Sequence, residues 1–172
     1  MPNWCEGTVG IRGKKDDILK FLNEGFVRYT YDVKKHENVE VPGSVFKMDD
    51  DDDTTIWLTV DDVAGTWIWI EDTQRAFFDD EQNVNHFVMD KDKSSDIWTL
   101  RLPIKQAWSY REDDWMTLSS EYHLDFNLFG VECGMEFMME FQIVNGEYVK
   151  GKLTSTKTGN WSWDCPFPWM GG

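Results

Sequence analysis

The feature that most constrains the fold is the stretch 49–96, in which acidic and apolar residues are interleaved. It holds fifteen acidic residues and three basic ones, a net charge of −12 within a chain of 172 residues whose net charge is −15. An acidic segment without apolar residues stays unfolded, because it cannot bury enough surface to offset chain entropy. This stretch also contains bulky apolar residues such as Trp57, Trp69 and Phe78. We therefore predict that it folds and holds its carboxylates in a fixed arrangement.

The length and composition of the chain limit the class of protein. The length and the hydrophobic fraction of 41% predict a single domain over 1–172, in which 34–96 form an acidic insertion. No apolar run approaches the ~18 residues that span a bilayer, and the opening residues lack the basic and apolar segments of a secretory signal. The three cysteines are widely spaced and form no CxxC pair, which does not suggest a disulfide framework. These features predict a cytoplasmic protein.

Apolar periodicity predicts a mixture of strands and helices. Strand alternation covers 4–12 and recurs over 97–104, 124–128 and 135–144. Helical spacing covers 15–23 and the stretch from Asp113 or Asp114 to Tyr122. This order is typical of an α+β, ferredoxin-like sandwich, an antiparallel sheet with two helices. We predict that fold, with the acidic insertion contributing further strands.

Two hairpins are also predicted. Asn145-Gly146 separates two strand patterns, and this dipeptide favours a two-residue type I′ turn. Strand patterns over 56–60 and 66–70 flank a connection that carries Asp61 and Asp62. The second pair of strands therefore predicts a hairpin with an acidic tip.

Two parts of the chain resemble a known family. The opening Met-Pro-Asn-Trp-Cys-Glu of 1–6 resembles the start of the YubB ferredoxin-like (Api92-like) proteins of phages and plasmids. The Ala-Trp-Ser of 107–109, the Glu-Cys-Gly-Met of 132–135 and the Asn-Gly of 145–146 are similar to later positions of that family. The chain departs from the family after its Trp-Ser and at Cys133, where the family has prolines. The resemblance covers 1–25 and 97–150. It implies a ferredoxin-like fold and an origin in a mobile element, and it supplies no catalytic residues.

The spacing of the possible metal ligands gives little support for a metal site. Asp49, Asp51 and Asp53 match the start of a calcium-binding loop, but Thr54 stands where glycine is needed and Val60 where the bidentate glutamate is needed. The three histidines and three cysteines show no zinc-ligand spacing. We therefore expect neither a metal nor a cofactor.

Catalytic signatures are equally thin. Cys133 could serve as a thiol nucleophile, and Glu132, Glu136 and Glu140 could supply a carboxylate pair. Their alternation along a predicted strand is explained more simply by a solvent-exposed face. We predict a non-catalytic protein, with an enzyme of unknown type around Cys133 to Glu140 as one alternative.

The ten tryptophans divide into two groups. For Trp57, Trp67, Trp69 and Trp98 we expect core packing. The C-terminal stretch alternates aromatic residues with Pro166 and Pro168, and its tryptophans are better candidates for a contact surface. A small module that binds a peptide or a sugar is the alternative function that this stretch suggests, with candidate residues Trp161, Trp163 and Trp169.

The acidic array gives the leading hypothesis. DNA presents one charge about every 1.7 Å along its axis, and a folded acidic surface can imitate that line and enter a basic groove of another protein. The net charge of −15 argues against direct binding to nucleic acid or an anionic membrane. We therefore expect the protein to bind and inhibit a basic host protein, a defence nuclease or other nucleic-acid-binding effector, as anti-CRISPR and anti-restriction proteins do. The candidate residues are Asp49, Asp50, Asp51, Asp52, Asp53, Asp61, Asp62, Asp79, Asp80 and Glu81.

Overall fold

The computed structural model of the protein describes residues 3–59, 66–79, 84–157 and 160–172. Within these ranges the chain forms thirteen strands and three helices. The strands are β1 (Trp4–Gly13), β2 (Phe26–Asp32), β3 (Glu37–Glu40), β4 (Phe46–Met48), β5 (Thr55–Leu58), β6 (Thr66–Ile70), β7 (Ala76–Phe78), β8 (His86–Val88), β9 (Asp90–Lys91), β10 (Trp98–Ala107), β11 (Asp125–Glu132), β12 (Phe137–Val144) and β13 (Glu147–Ser155). The helices are α1 (Lys15–Glu24), α2 (Glu112–Tyr122) and α3 (Trp161–Asp164).

Ten of these strands form one antiparallel sheet, in the order β13-β12-β11-β1-β10-β7-β6-β2-β3, with β9 also paired to β10. The other three form a small sheet, β4-β5-β8. The prediction of a ferredoxin-like α+β sandwich is therefore wrong, since strands make up 48% of the structure and helices 16%. The physical reason lies in 34–96, which supply strands to the main sheet. In particular, β6 and β7 lie between β10 and β2.

One of the two predicted hairpins forms. Asn145 and Gly146 have positive φ angles of 52° and 78° and connect β12 to β13, which confirms the tight turn. The prediction of a hairpin over 56–60 and 66–70 is wrong, because β5 belongs to the small sheet and β6 to the large one.

Aromatic side chains join the layers on one face of the large sheet. The Phe21 ring of α1 lies 5.0 Å from Tyr122 of α2 and 5.5 Å from Phe126 of β11, measured between ring centroids. The centroid of the Phe46 ring, in the small sheet, lies 5.1 Å from that of Phe26 and 5.6 Å from that of Phe78. Both helices and the small sheet therefore cover this face and close the core.

The helices form where the periodicity predicts them. Asp16 and Asp17 lie in the first turn of α1, where carboxylates interact favourably with the helix dipole. Ile18, Phe21 and Leu22 form its buried side. No helix within the described ranges is long and apolar enough to cross a membrane.

The opposite face of the large sheet, called the open face here, is covered only in part by the described residues. The C-terminal segment 160–172 packs on β1 and β11, where the Gly171 N–H donates to a carboxylate oxygen of Glu6 at 2.8 Å. The Phe167 ring lies 5.7 Å from that of Phe129. Beyond this segment, the open face presents half-buried aromatic side chains of β1, β7 and β6.

Candidate functional site

The five consecutive aspartates form a structured turn between β4 and β5. Asp49 accepts hydrogen bonds from the backbone N–H groups of Asp51 and Asp52, at 2.9 and 3.1 Å, and from the Trp57 indole N–H at 2.6 Å. These bonds, first of all the one from Asp51, hold the pKa of Asp49 below its ordinary value. The hydrogen bonds to Asp49 therefore fix the conformation of the turn that carries the other four aspartates.

The remaining four aspartates differ in their surroundings. Asp52 accepts bonds from the hydroxyls of Thr54 and Thr55, both at 2.7 Å, and these lower its pKa. Lys47 forms an ion pair with Asp50 at 2.9 Å, and Lys15 forms one with Asp53 at 3.1 Å. The carboxylate of Asp51 makes no hydrogen bond or ion pair with the described residues. Four of the five aspartates are therefore hydrogen-bonded or ion-paired within the structure.

A second acidic loop lies beside this turn. The Met89 N–H donates to the Thr54 carbonyl at 2.8 Å, which joins 49–55 to 89–96. In that loop Asp92 accepts bonds from the Ser94 N–H and hydroxyl, both at 2.8 Å, and the first of these is the main cause of its lowered pKa. The Trp98 ring lies close to two lysines of this region. The Nζ atoms of Lys15 and Lys91 are 4.9 Å and 5.6 Å from its centroid.

These contacts define an acidic end of the molecule. It comprises Asp49–Asp53, Asp90, Asp92 and Asp96, with Lys15, Lys47, Lys91 and Lys93 among them. The side chains of Asp50 and Asp53 are each 81% exposed, and that of Asp96 is 87% exposed. The structure therefore brings together two acidic segments that are about 40 residues apart in the sequence, and local lysines offset half of their charge.

The other predicted acidic residues do not join this surface. Asp79 is buried, with 6% of its surface exposed, and its carboxylate forms an ion pair with Lys105 at 3.2 Å. A carboxylate in that position holds β7 against β10 and cannot reach a partner. Asp61, Asp62, Asp80 and Glu81 lie outside the described residues.

The C-terminal aromatics lie on the surface to different degrees. Trp163 is 84% exposed and Trp169 is 77% exposed. Trp161 is half-buried, and its indole N–H donates to the Pro168 carbonyl at 2.9 Å. The first two form the accessible part of the predicted aromatic surface, and Trp161 holds the segment in shape.

The stretch around Cys133 has a structural explanation. Glu132 is fully buried, and its carboxylate accepts the N–H groups of Gly134 at 2.8 Å and Met135 at 2.5 Å, so the expectation of a solvent face is wrong for this residue. Burial, followed by the charge of Glu132, raises the pKa of Cys133. A raised pKa disfavours the thiolate that nucleophilic attack requires. Within the described ranges, no group of three or more His, Cys, Asp or Glu residues could hold a metal ion.

A cleft on the open face is the site that sequence reasoning missed. Trp98 is buried as expected, but Trp67 and Trp69 are half-buried on the open face and Trp57 is 39% exposed, so core packing is wrong for these three. The cleft has a volume of about 480 Å³. Four aromatic side chains and two cations form most of its lining: Trp4, Trp67, Trp69, Phe77, Arg75 and Lys105. We call it the aromatic cleft.

The signal for this cleft is present in the sequence but is ambiguous there. Trp67 and Trp69 alternate with Ile68 and Ile70, so both faces of β6 are apolar and the pattern does not say which face is inward. Phe77 and Phe78 repeat the same ambiguity in β7.

Comparisons with family models, with curated proteins and with solved structures find no match to this chain.

Proposed function

We propose that this protein binds a basic partner protein through its acidic end and thereby blocks a surface that the partner uses for nucleic acid. The partner is a nuclease or another nucleic-acid-binding effector in the cytoplasm of a host cell, and the protein acts without catalysis. The convergence of the turn 49–55 and the loop 89–96 supports this proposal most directly, because it concentrates exposed carboxylates on one fixed surface.

The hydrogen bonds within the acidic end favour recognition over mere solubility. Asp49, Asp52 and Asp92 each bond to their own loop, so the loops keep one shape and the neighbouring carboxylates keep their spacing. A fixed charge pattern loses little conformational entropy on binding, whereas a flexible acidic tail loses much more. Complementary charge also accelerates encounter with a basic groove.

The proposal is tested by removing charge without disturbing the turns. The variant Asp50→Asn, Asp51→Asn, Asp90→Asn and Asp96→Asn keeps Asp49 and Asp52, which hold the turn. A matched control, with Gln at Glu40, Glu121, Glu140 and Glu147, changes the net charge equally on other exposed surfaces. Partners are captured from host lysate at low salt, purified, and titrated with each variant.

We expect the first variant to bind its partner at least ~10-fold more weakly, and the control to bind within ~2-fold of the wild type. Binding should weaken steeply as salt rises from about 50 to 200 mM, because screening shortens the reach of exposed charges. Duplex DNA should displace the protein from its partner. Equal losses in both variants, or a stable ternary complex with duplex DNA, would refute the proposal.

The exposure of Trp163 and Trp169 supports a second candidate, a surface for a peptide or a sugar. Large aromatic side chains at 84% and 77% exposure offer apolar contact area that core packing does not use. If this surface carries the function, changing both tryptophans to Ala abolishes partner capture at every salt concentration. Capture that survives this change and depends on salt would point back to the acidic end.

A further inference from the structure

We infer that the aromatic cleft is a binding site for a small molecule that combines a planar apolar ring system with an anionic group. This ligand site is separate from the acidic end and does not depend on it. Three observations carry the inference: the charge of the cleft lining, the way Arg75 is held, and the arrangement of the rings.

The lining of the cleft has the opposite charge to the rest of the molecule. The chain has 32 acidic and 17 basic residues, yet the described residues that line the cleft include Arg75 and Lys105 and no carboxylate. Lys105 is engaged by Asp79. Arg75 is exposed, and it forms no ion pair with any described residue. A guanidinium in this position offers several N–H donors to a carboxylate or a phosphate.

Arg75 is held in place by its backbone. Its φ angle is 62°, in the left-handed region that residues other than glycine seldom adopt. The neighbouring backbone is anchored from inside the protein: the Gln74 N–H donates to Asp114 at 2.8 Å, and the Gln106 amide donates to the Gln74 carbonyl at 3.2 Å. The turn between β6 and β7 thus presents the guanidinium 5.8 Å from the centroid of the Trp4 ring.

The rings give the cleft the shape of a pocket. Trp4 and Phe77 meet at 5.6 Å with an interplanar angle of 83°, and Phe77 and Trp69 meet at 5.2 Å with an angle of 63°. Rings set edge to face make angled walls, which suit one compact planar ligand better than a chain of stacked bases or sugars. The volume of about 480 Å³ lies within the range of small-molecule sites, roughly 300–1,000 Å³.

The test compares ligands that share one ring system and differ in charge. 2-Naphthoate and 2-naphthyl phosphate carry the anion as a carboxylate and as a phosphate, and 2-naphthylmethanol is the neutral counterpart. Binding is measured by isothermal titration and by saturation-transfer NMR. We expect at least one of the two anions to bind ~10-fold or more tightly than the alcohol, because charge-assisted hydrogen bonds are the stronger ones. The better anion identifies the anionic group.

Variants then assign the binding to the cleft. Arg75→Gln should abolish the preference for the anion while leaving the weak affinity for the alcohol. Trp69→Leu should weaken binding of all three compounds, whereas the control Trp163→Leu, at an exposed site elsewhere, should not. Near-ultraviolet circular dichroism verifies that each variant is folded. The inference is overturned if none of the compounds binds, if the anions bind no better than the alcohol, or if Arg75→Gln keeps the preference.

Discussion

The substitution Gln106→Met should destabilise the protein far more than the loss of one surface amide would. Gln106 lies in β10 with none of its surface exposed. Its amide nitrogen donates to Asp114 at 2.8 Å and to the Gln74 carbonyl at 3.2 Å. Its amide oxygen accepts the Arg111 N–H at 3.2 Å and the Trp115 indole N–H at 3.4 Å. Methionine has a similar size and length and can make none of these four bonds.

The magnitude follows from the groups that the substitution leaves unpaired. The Trp115 indole is completely buried, and Asp114 is 7% exposed. Each buried polar group without a partner costs about 1–3 kcal/mol. Asp114 keeps its bond from the Gln74 N–H, which limits the loss there. We therefore expect the free energy of unfolding to fall by about 3–5 kcal/mol, or the Tm by roughly 10 °C for a chain of this size.

The assay is urea unfolding followed by tryptophan fluorescence, with a thermal melt by circular dichroism as a second measurement. Gln74→Met is the matched control. It is the same substitution in the same network, but the Gln74 side chain is exposed and only its backbone makes the bonds described above. The control should change the free energy of unfolding by less than about 0.5 kcal/mol, as surface substitutions commonly do.

A loss of less than about 1 kcal/mol in Gln106→Met would refute the reasoning, because it would mean that water or a shifted backbone satisfies the orphaned groups at little cost. The same variant bears on the aromatic cleft. Since Gln106 anchors the turn that carries Arg75, a folded Gln106→Met protein should also bind the naphthyl anions more weakly.

Three further predictions address other parts of the structure. Gly7→Ala should prevent normal folding, because a Cβ atom there would lie 2.0 Å from the Phe129 carbonyl oxygen; the soluble yield and circular dichroism of the variant check this. Burial raises the pKa of Cys5 to about 12, so iodoacetamide at pH 8 should alkylate this thiol only after unfolding, as peptide mass spectrometry would show. The lowered pKa of Asp49 should keep its bond to Trp57 intact at neutral and mildly acidic pH and release it as the pH falls through that lowered pKa. Trp57 fluorescence should change over this acidic transition, and the change should be absent in Asp49→Asn.

The parts of the fold that the sequence predicts correctly are those that local patterns determine. The strand 4–12, the helix 15–23 and the Asn145-Gly146 turn each follow from neighbouring residues, through alternation, helical spacing or positive φ. The order of strands in the sheet depends on pairings between distant segments. Nothing local in β6 or β7 says that they pair with β2 and β10, and this pairing turns a small expected sheet into a ten-stranded one.

The site could be predicted only in part, because charge counts do not show what each carboxylate contacts. Asp51 and Asp79 are the same residue type in the same acidic stretch. Asp51 is exposed at a loop tip, whereas Asp79 is buried against Lys105, which lies 26 residues further along the chain. Only the folded arrangement separates a carboxylate that can meet a partner from one that holds two strands together.

The arrangement of charge also explains how one strongly acidic chain can carry two different sites. Acidic residues collect at the end formed by the 49–55 turn and the 89–96 loop, where short polar loops expose them. On the open face, Asp79 forms an ion pair with Lys105, and Phe77 and Trp69 contribute aromatic rings to the neighbouring surface. Arg75 therefore lies beside aromatic rings, in a cleft whose described lining residues include no carboxylate. Because the two sites use separate residues, loss of binding at one should leave binding at the other intact.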